Sequence, residues 1–172
     1  MRHRGRWLTV ASCIVLAVPA SVPAEVRADE EPTDWPAVIT RLKQQFYDQS
    51  GQARAREQLA VAYNNYGVSL GEQGLWELAA KQLQEALRLD EANQQYRQNL
   101  ANIYLNQAQQ AYQQHAADEA LAAIERALSY HPDLALGYAL LGEIEYDRQR
   151  LKEAKAAWQR AVELDPSHDA LK

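Results

Sequence analysis

From Trp35 almost to the end of the chain, apolar residues recur three and four places apart, and beyond residue 30 they do not alternate. That period places them on one face of a helix after another and leaves no strand pattern. The sequence predicts an all-α protein. Trp35-Pro36 opens the first helix, which runs to about Asp48 and ends at Ser50-Gly51. Pro36 suits a first-turn position, and Asp34 is placed to cap it. A second helix runs from Gln52 to about Leu70. A long helix spans about 92 to 115 with no breaker inside it. The stretch 138–166 reads as a helix pair.

Within 138–166 small residues stand at Gly142, Ala154 and Ala161, with bulky Leu141 and Trp158 between them. Any amphipathic helix can bury Leu and Trp. Only a close crossing of two helices calls for residues without a side chain, or with a methyl, at fixed places. Gly142 is therefore expected to face Ala154 across a helix pair, with Leu141 and Trp158 filling the remaining volume. Pro166 cannot continue the second helix and so sets the turn. Counted from Ala135, the residues Tyr138, Leu141, Gly142, Ala154, Trp158, Ala161 and Pro166 occupy places 4, 7, 8, 20, 24, 27 and 32. Counted from Ala60, Tyr63, Tyr66, Gly67, Ala79, Leu83 and Ala86 occupy the first six of those places. Ala120, Ile124, Ala127 and Pro132 fit the second half of a unit between them.

This spacing resembles the tetratricopeptide repeat family. The unit at 135–168 departs from the family pattern at Glu145, where Tyr is preferred. The unit starting at Ala60 has Leu70 there and Glu91 in place of the closing Pro. The resemblance implies a right-handed α-solenoid of antiparallel helix pairs, with about three units and an N-terminal capping helix. The units fall at 52–93, 94–134 and 135–168, and the capping helix at 35–51. The middle unit is irregular: Pro132 lies 41 residues after Glu91 rather than 34. Leu100, Ala101 and Tyr104 fit one register, and Tyr104 with Ala108 fits another, seven residues on. Seven residues are two helical turns and nearly preserve the face. The first helix of that unit is expected to be two turns longer than usual. Residues 169–172 look like the start of a truncated solvating helix. The chain is then either a piece of a longer protein or one whose C-terminal face meets a partner, with self-association through that face a further option.

The first 28 residues change the cellular picture. Arg2, Arg4 and Arg6 precede an apolar run, Trp7 to Val18, and small residues follow at the places a signal peptidase reads. This is the layout of a secretory signal, with cleavage after residue 24 or 28 and a polar linker over 29–34. The run is too short to span a membrane comfortably, which takes about 20 residues. The expectation is an exported protein, periplasmic or secreted. Cys13 lies mid-run, so a lipid anchor there is the lesser alternative. Loss of the signal would leave no cysteine and hence no disulfide. A cut after Ala24 would also leave 15 basic against 23 acidic residues, about −8. Such a chain is a poor partner for nucleic acid or an anionic membrane.

Candidate chemistry is sparse. His3, His115, His131 and His168 form no ligand pattern, and no phosphate loop, nucleophile elbow or zinc motif occurs. Glu143, Glu145 and Asp147 share a helix but read as solvated surface charges, Glu145 with Arg148 and Glu143 with Asp147. Neither an enzyme, a cofactor nor a metal site is expected. Binding remains. The resemblance implies an inner groove lined by first helices. It takes Val61, Asn64, Asn65, Val68 and Glu72 from the first unit, and Leu136, Ala139, Glu143, Tyr146 and Asp147 from the last. The long helix offers Gln95, Gln98, Asn99, Asn102, Leu105 and Asn106, then Gln109, Gln110 and Gln113. Residues 94–114 hold 11 Asn or Gln in 21. A carboxamide both donates and accepts, so it can pair with a peptide backbone without demanding a charge. The groove positions contain no Lys or Arg, which argues against capture of an acidic peptide end. The expected partner is a protein or extended peptide, neutral to basic. Asn64, Asn99, Asn102 and Asn106 would grip its main chain, and Glu143 and Asp147 would attract a cation. The alternative is an assembly or targeting module for an enzyme domain beyond residue 172.

Overall fold

The computed structural model describes residues 33–48 and 52–167. The signal segment with Cys13, most of the linker, the Ser50-Gly51 break and the segment 169–172 lie outside the described residues. Seven helices follow one another among those described: α1 (Trp35–Asp48), α2 (Gln52–Glu72), α3 (Trp76–Leu89), α4 (Gln94–Gln113), α5 (Ala117–Tyr130), α6 (Ala135–Asp147) and α7 (Leu151–Leu164). Asp34 caps α1, its Oδ1 accepting from the Ala37 N–H at 3.1 Å. None of the helices is long and apolar enough to cross a membrane.

The helices pack as hairpins, α2 on α3, α4 on α5 and α6 on α7, and the hairpins stack in chain order. The α3, α5 and α7 helices are each 14 residues long and carry Ala seven residues apart, at 79 and 86, 120 and 127, and 154 and 161. All six alanines are buried. A seven-residue spacing keeps them on one stripe, so two turns of each helix lie close against their neighbours. Leu83, Leu100, Ile124 and Ile144 are fully buried between them. Helix α1 adds Ile39 and Leu42 to a smaller cluster with Leu59, Tyr63 and Tyr96, and so covers the start of the stack.

Two turn geometries alternate along the chain. Inside each hairpin one residue sits at positive φ: Gly74 at 74°, His115 at 61° and Gln149 at 62°. Behind it the N–H of Leu75, Ala116 or Arg150 reaches back to the carbonyl of Leu70, Ala111 or Glu145, at 2.9–3.0 Å. These are Schellman closures of α2, α4 and α6. At the end of each hairpin, Asp90, His131 and Asp165 share φ between −141° and −136° and ψ between 84° and 86°. Asn93 alone adds a side-chain cap there, accepting from the Tyr96 N–H at 3.2 Å.

Two expectations change on contact with the geometry. Gly142 does not face Ala154 as its main neighbour. A methyl on Gly142 would run into the Trp158 indole, one turn further along α7. At the equivalent place, Gly67 meets the Leu83 side chain and, at 3.0 Å, the Ala79 carbonyl oxygen. The small residue thus admits the large side chain of the facing helix as much as its backbone. α4 has 20 residues against 13 in α6, but α2 has 21, so α4 is long beside α6 and not beside α2. Both registers are used, since Ala101 and Ala108 are each fully buried.

Candidate functional site

Helices α2, α4 and α6 are neighbours along one side of the stack. Side-chain hydrogen bonds between residues 35 apart tie them together. Asn99 Nδ2 donates to Asn64 Oδ1 at 2.8 Å, joining α4 to α2. Tyr112 OH donates to Asp147 Oδ2 at 2.6 Å, joining α4 to α6. These bonds set the surface that the groove residues share.

The expected groove residues separate into three groups. Asn64 and Asn99 are buried, each 2% exposed. Asn64 Nδ2 donates to Asn65 Oδ1 at 3.1 Å, and Gln95 Nε2 donates to Asn99 Oδ1 at 3.0 Å. Each amide is buried and already donates one hydrogen bond and accepts another inside the protein, so neither faces a peptide main chain. This corrects the role expected of them. Facing helices at this register bring positions 64 and 99 together, and a buried carboxamide needs a hydrogen-bond partner, which each supplies to the other. Leu105 is likewise buried and drops out of the groove.

The second group is available. Gln98 is exposed, and Asn102 and Asn106 are half-buried. They follow one another at four-residue intervals, a single stripe along α4. None of the three makes a side-chain hydrogen bond among the described residues. Asn65 and Val68 are half-buried on the adjoining stretch of α2.

The third group lies at the far end. Tyr146 and Asp147 are exposed and Glu143 is half-buried. Burial raises the Glu143 carboxyl above the usual carboxylate range, and the Asp147 carboxylate raises it further. Burial also pushes the Tyr112 phenol well up, helped by its hydrogen bond to Asp147. The Tyr146 ring lies 5.7 Å from Trp158, whose indole N–H donates to the Ala139 carbonyl at 3.2 Å. The result is an acidic, aromatic end to an otherwise amide-lined face.

Glu145 is a further correction. It was expected as a solvated charge beside Arg148, yet it is 8% exposed. Its Oε2 pairs instead with Arg150 Nη1 at 3.5 Å, across the α6–α7 turn. Arg148 reaches Asp118 on the preceding hairpin at 2.6 Å. Position 145 points inward because it shares a face with Gly142, three residues earlier. Among the described residues no three His, Cys, Asp or Glu side chains gather in a way that could hold a metal ion.

Comparison with known proteins accords with this architecture. Residues 135–168 match the tetratricopeptide repeat. Over 99 residues, 58% of the chain, the sequence is 31% identical to an Hsp70-Hsp90 organizing protein of Triticum aestivum, and the match spans 16% of that protein's length. Among solved structures, the Arabidopsis OM64 TPR domain is similar at 21% identity with a TM-score of 0.45, over 67% of this chain and 90% of that one. The first TPR of Spaghetti (RPAP3), bound to HSP90 peptide SRMEEVD, is similar at 21% identity with a TM-score of 0.44, over 67% and 86%. Residues 135–168 thus carry a tetratricopeptide repeat, and two further helix hairpins precede it among the described residues.

Proposed function

We propose that this chain is a non-catalytic protein-interaction scaffold that holds an extended, neutral-to-basic peptide segment along the face made by α2, α4 and α6. One observation carries the reading. Gln98, Asn102 and Asn106 form a stripe of carboxamides with no partner among the described residues, beside the half-buried Asn65 and Val68. Amides at that spacing can alternate donor and acceptor against a peptide backbone. At the far end Glu143 and Asp147 supply negative charge for a Lys or Arg side chain, with Tyr146 alongside. No cation balances them among the groove positions, which disfavours an acidic ligand. The layout of the first 28 residues adds that the scaffold works after export.

The test uses fluorescent peptides of alternating Ser and Lys, and of alternating Ser and Glu, titrated against the full chain by anisotropy. The Lys series should bind and the Glu series should not. Changing Asn102 and Asn106 together to Ala should weaken the Lys series at least tenfold with far-UV circular dichroism unchanged. Equal binding by the double variant would refute the amide stripe as the grip.

A further inference from the structure

The long α4 helix has a consequence on the opposite flank from α6. Asn64 pairs with Asn99, so these two positions are level. From there α2 continues eight residues to Glu72, while α4 continues fourteen to Gln113. The end of α4 therefore stands about 9 Å proud of α2, at 1.5 Å per residue. Under this overhang lies a cleft of about 420 Å³, between the α2–α3 turn and the last turns of α4. The Trp76 indole crosses to α4 and donates to the side-chain oxygen of Gln110.

Beside Gln107, Gln110 and Gln114, two exposed leucines line this cleft for no reason the fold supplies. Leu75 is 43% exposed and Leu78 50% exposed. The same backbone recurs at the start of α5 and α7: Leu75, Ala116 and Arg150 share φ between −90° and −87° and ψ between 62° and 69°. In place of Leu75 and Leu78 the later hairpins carry Ala116 and Glu119, then Arg150 and Glu153. The turn accepts polar residues, so the two leucines are not needed to build it. Charge around the cleft has one sign. Glu77 and Glu119 line it, and no Lys or Arg does.

We infer that the step beneath the α4 overhang is a second docking site, for a partner segment presenting a bulky apolar side chain flanked by Lys or Arg. The apolar side chain would cover Leu75, Leu78 and the Trp76 ring, and the basic residues would face Glu77 and Glu119. A contact of that kind needs both parts. Apolar area supplies affinity, and the acidic rim supplies selection against acidic segments.

Three 12-residue fluorescent peptides separate the outcomes when titrated against the full chain. One places a single Phe among Lys and Ser, one the same Phe among Glu and Ser, and one replaces that Phe by Ala in the Lys series. Only the first should bind in a way that Leu75→Ser with Leu78→Ser weakens about tenfold or more, the loss expected for an uncovered leucine pair. Glu77→Lys with Glu119→Lys should shift preference toward the Glu peptide. Changing Asn102 and Asn106 to Ala should leave the Phe contribution, the ratio of Phe to Ala peptide affinity, untouched, so failure here is distinct from failure of the amide groove. Both leucines are substantially exposed, and unchanged circular dichroism checks that the variants fold. The proposal is overturned if the leucine variant keeps the Phe contribution. It is equally overturned if sedimentation shows the chain to be a dimer that the leucine variant dissociates, since a second copy is then the occupant.

Discussion

Replacing Asn99 by Ala separates a structural role from a binding one. In the folded chain Asn99 gives one hydrogen bond to Asn64 Oδ1 at 2.8 Å and receives one from Gln95 at 3.0 Å. The Gln95 side chain is half-buried and can turn to water, so its loss costs little. Asn64 is 2% exposed, and its oxygen would be left without a donor. An orphaned buried polar group costs about 1–3 kcal/mol, and a lost neutral hydrogen bond about 0.5–1.5 kcal/mol. The expected destabilisation is about 2–3 kcal/mol. Asn64→Ala should cost a similar amount, and the double variant less than the sum, with a coupling of about 1–2 kcal/mol. Urea denaturation followed by far-UV circular dichroism measures all three, compared at fixed urea because a helical array need not unfold in one step. Asn102→Ala, on the same helix but without a buried partner, should stay within about 0.5 kcal/mol. A stable Asn99→Ala, or strict additivity in the cycle, would show that the pair is not a structural tie.

The remaining predictions concern packing, charge and turns. Gly67→Ala should destabilise more than Gly142→Ala, by about 1 kcal/mol on thermal melting. A methyl at 67 lies 2.7 Å from Leu83 Cγ and 3.0 Å from a backbone carbonyl that cannot move aside, whereas the half-buried Trp158 indole can yield at the cost of its hydrogen bond to the Ala139 carbonyl. Glu143 titrates above its ordinary 4.5 in the folded chain, so its ionisation works against folding. The stability it permits is complete below 4.5 and is lost as pH rises through the raised value. Glu143→Gln should therefore raise the melting temperature at pH 7 and flatten its fall over the mildly acidic range. Gln149→Gly should stabilise by up to about 1 kcal/mol, because Gln149 holds a positive φ that glycine adopts freely. A loss of stability would mean that the Gln149 side chain holds the turn.

Helix order and hairpin pairing were legible in the sequence because each signal was local or periodic. Asp34 and Pro36 mark the start of α1, and the seven-residue excess before Pro132 reports the length of α4. The pairing of Asn64 with Asn99 was not legible as a contact. A carboxamide on a helix reads as polar whether it faces water or another amide, and only the neighbouring helix decides. Glu145 misled for the same reason: a carboxylate next to Arg148 suggests a surface pair, while its three-residue spacing from Gly142 already placed it inward. The contact of Gly142 with Trp158 needed the relative slide of two helices, which residue spacing within one helix does not record. The cleft by Leu75 and Leu78 arises from the offset between the C-terminal ends of α2 and α4, and no short motif carries that.

The hairpin joints have a consequence of their own. Gly74, His115 and Gln149 all hold a left-handed backbone, at φ between 61° and 74°, although they are three different residues. A joint that tolerates such variety does not depend on its own side chain. The joints between hairpins at Asp90 and His131 likewise share one backbone geometry, so each pair of helices is an interchangeable cassette, and a duplicate spliced between His131 and Leu134 should lengthen the protein by one unit while leaving those on either side undisturbed.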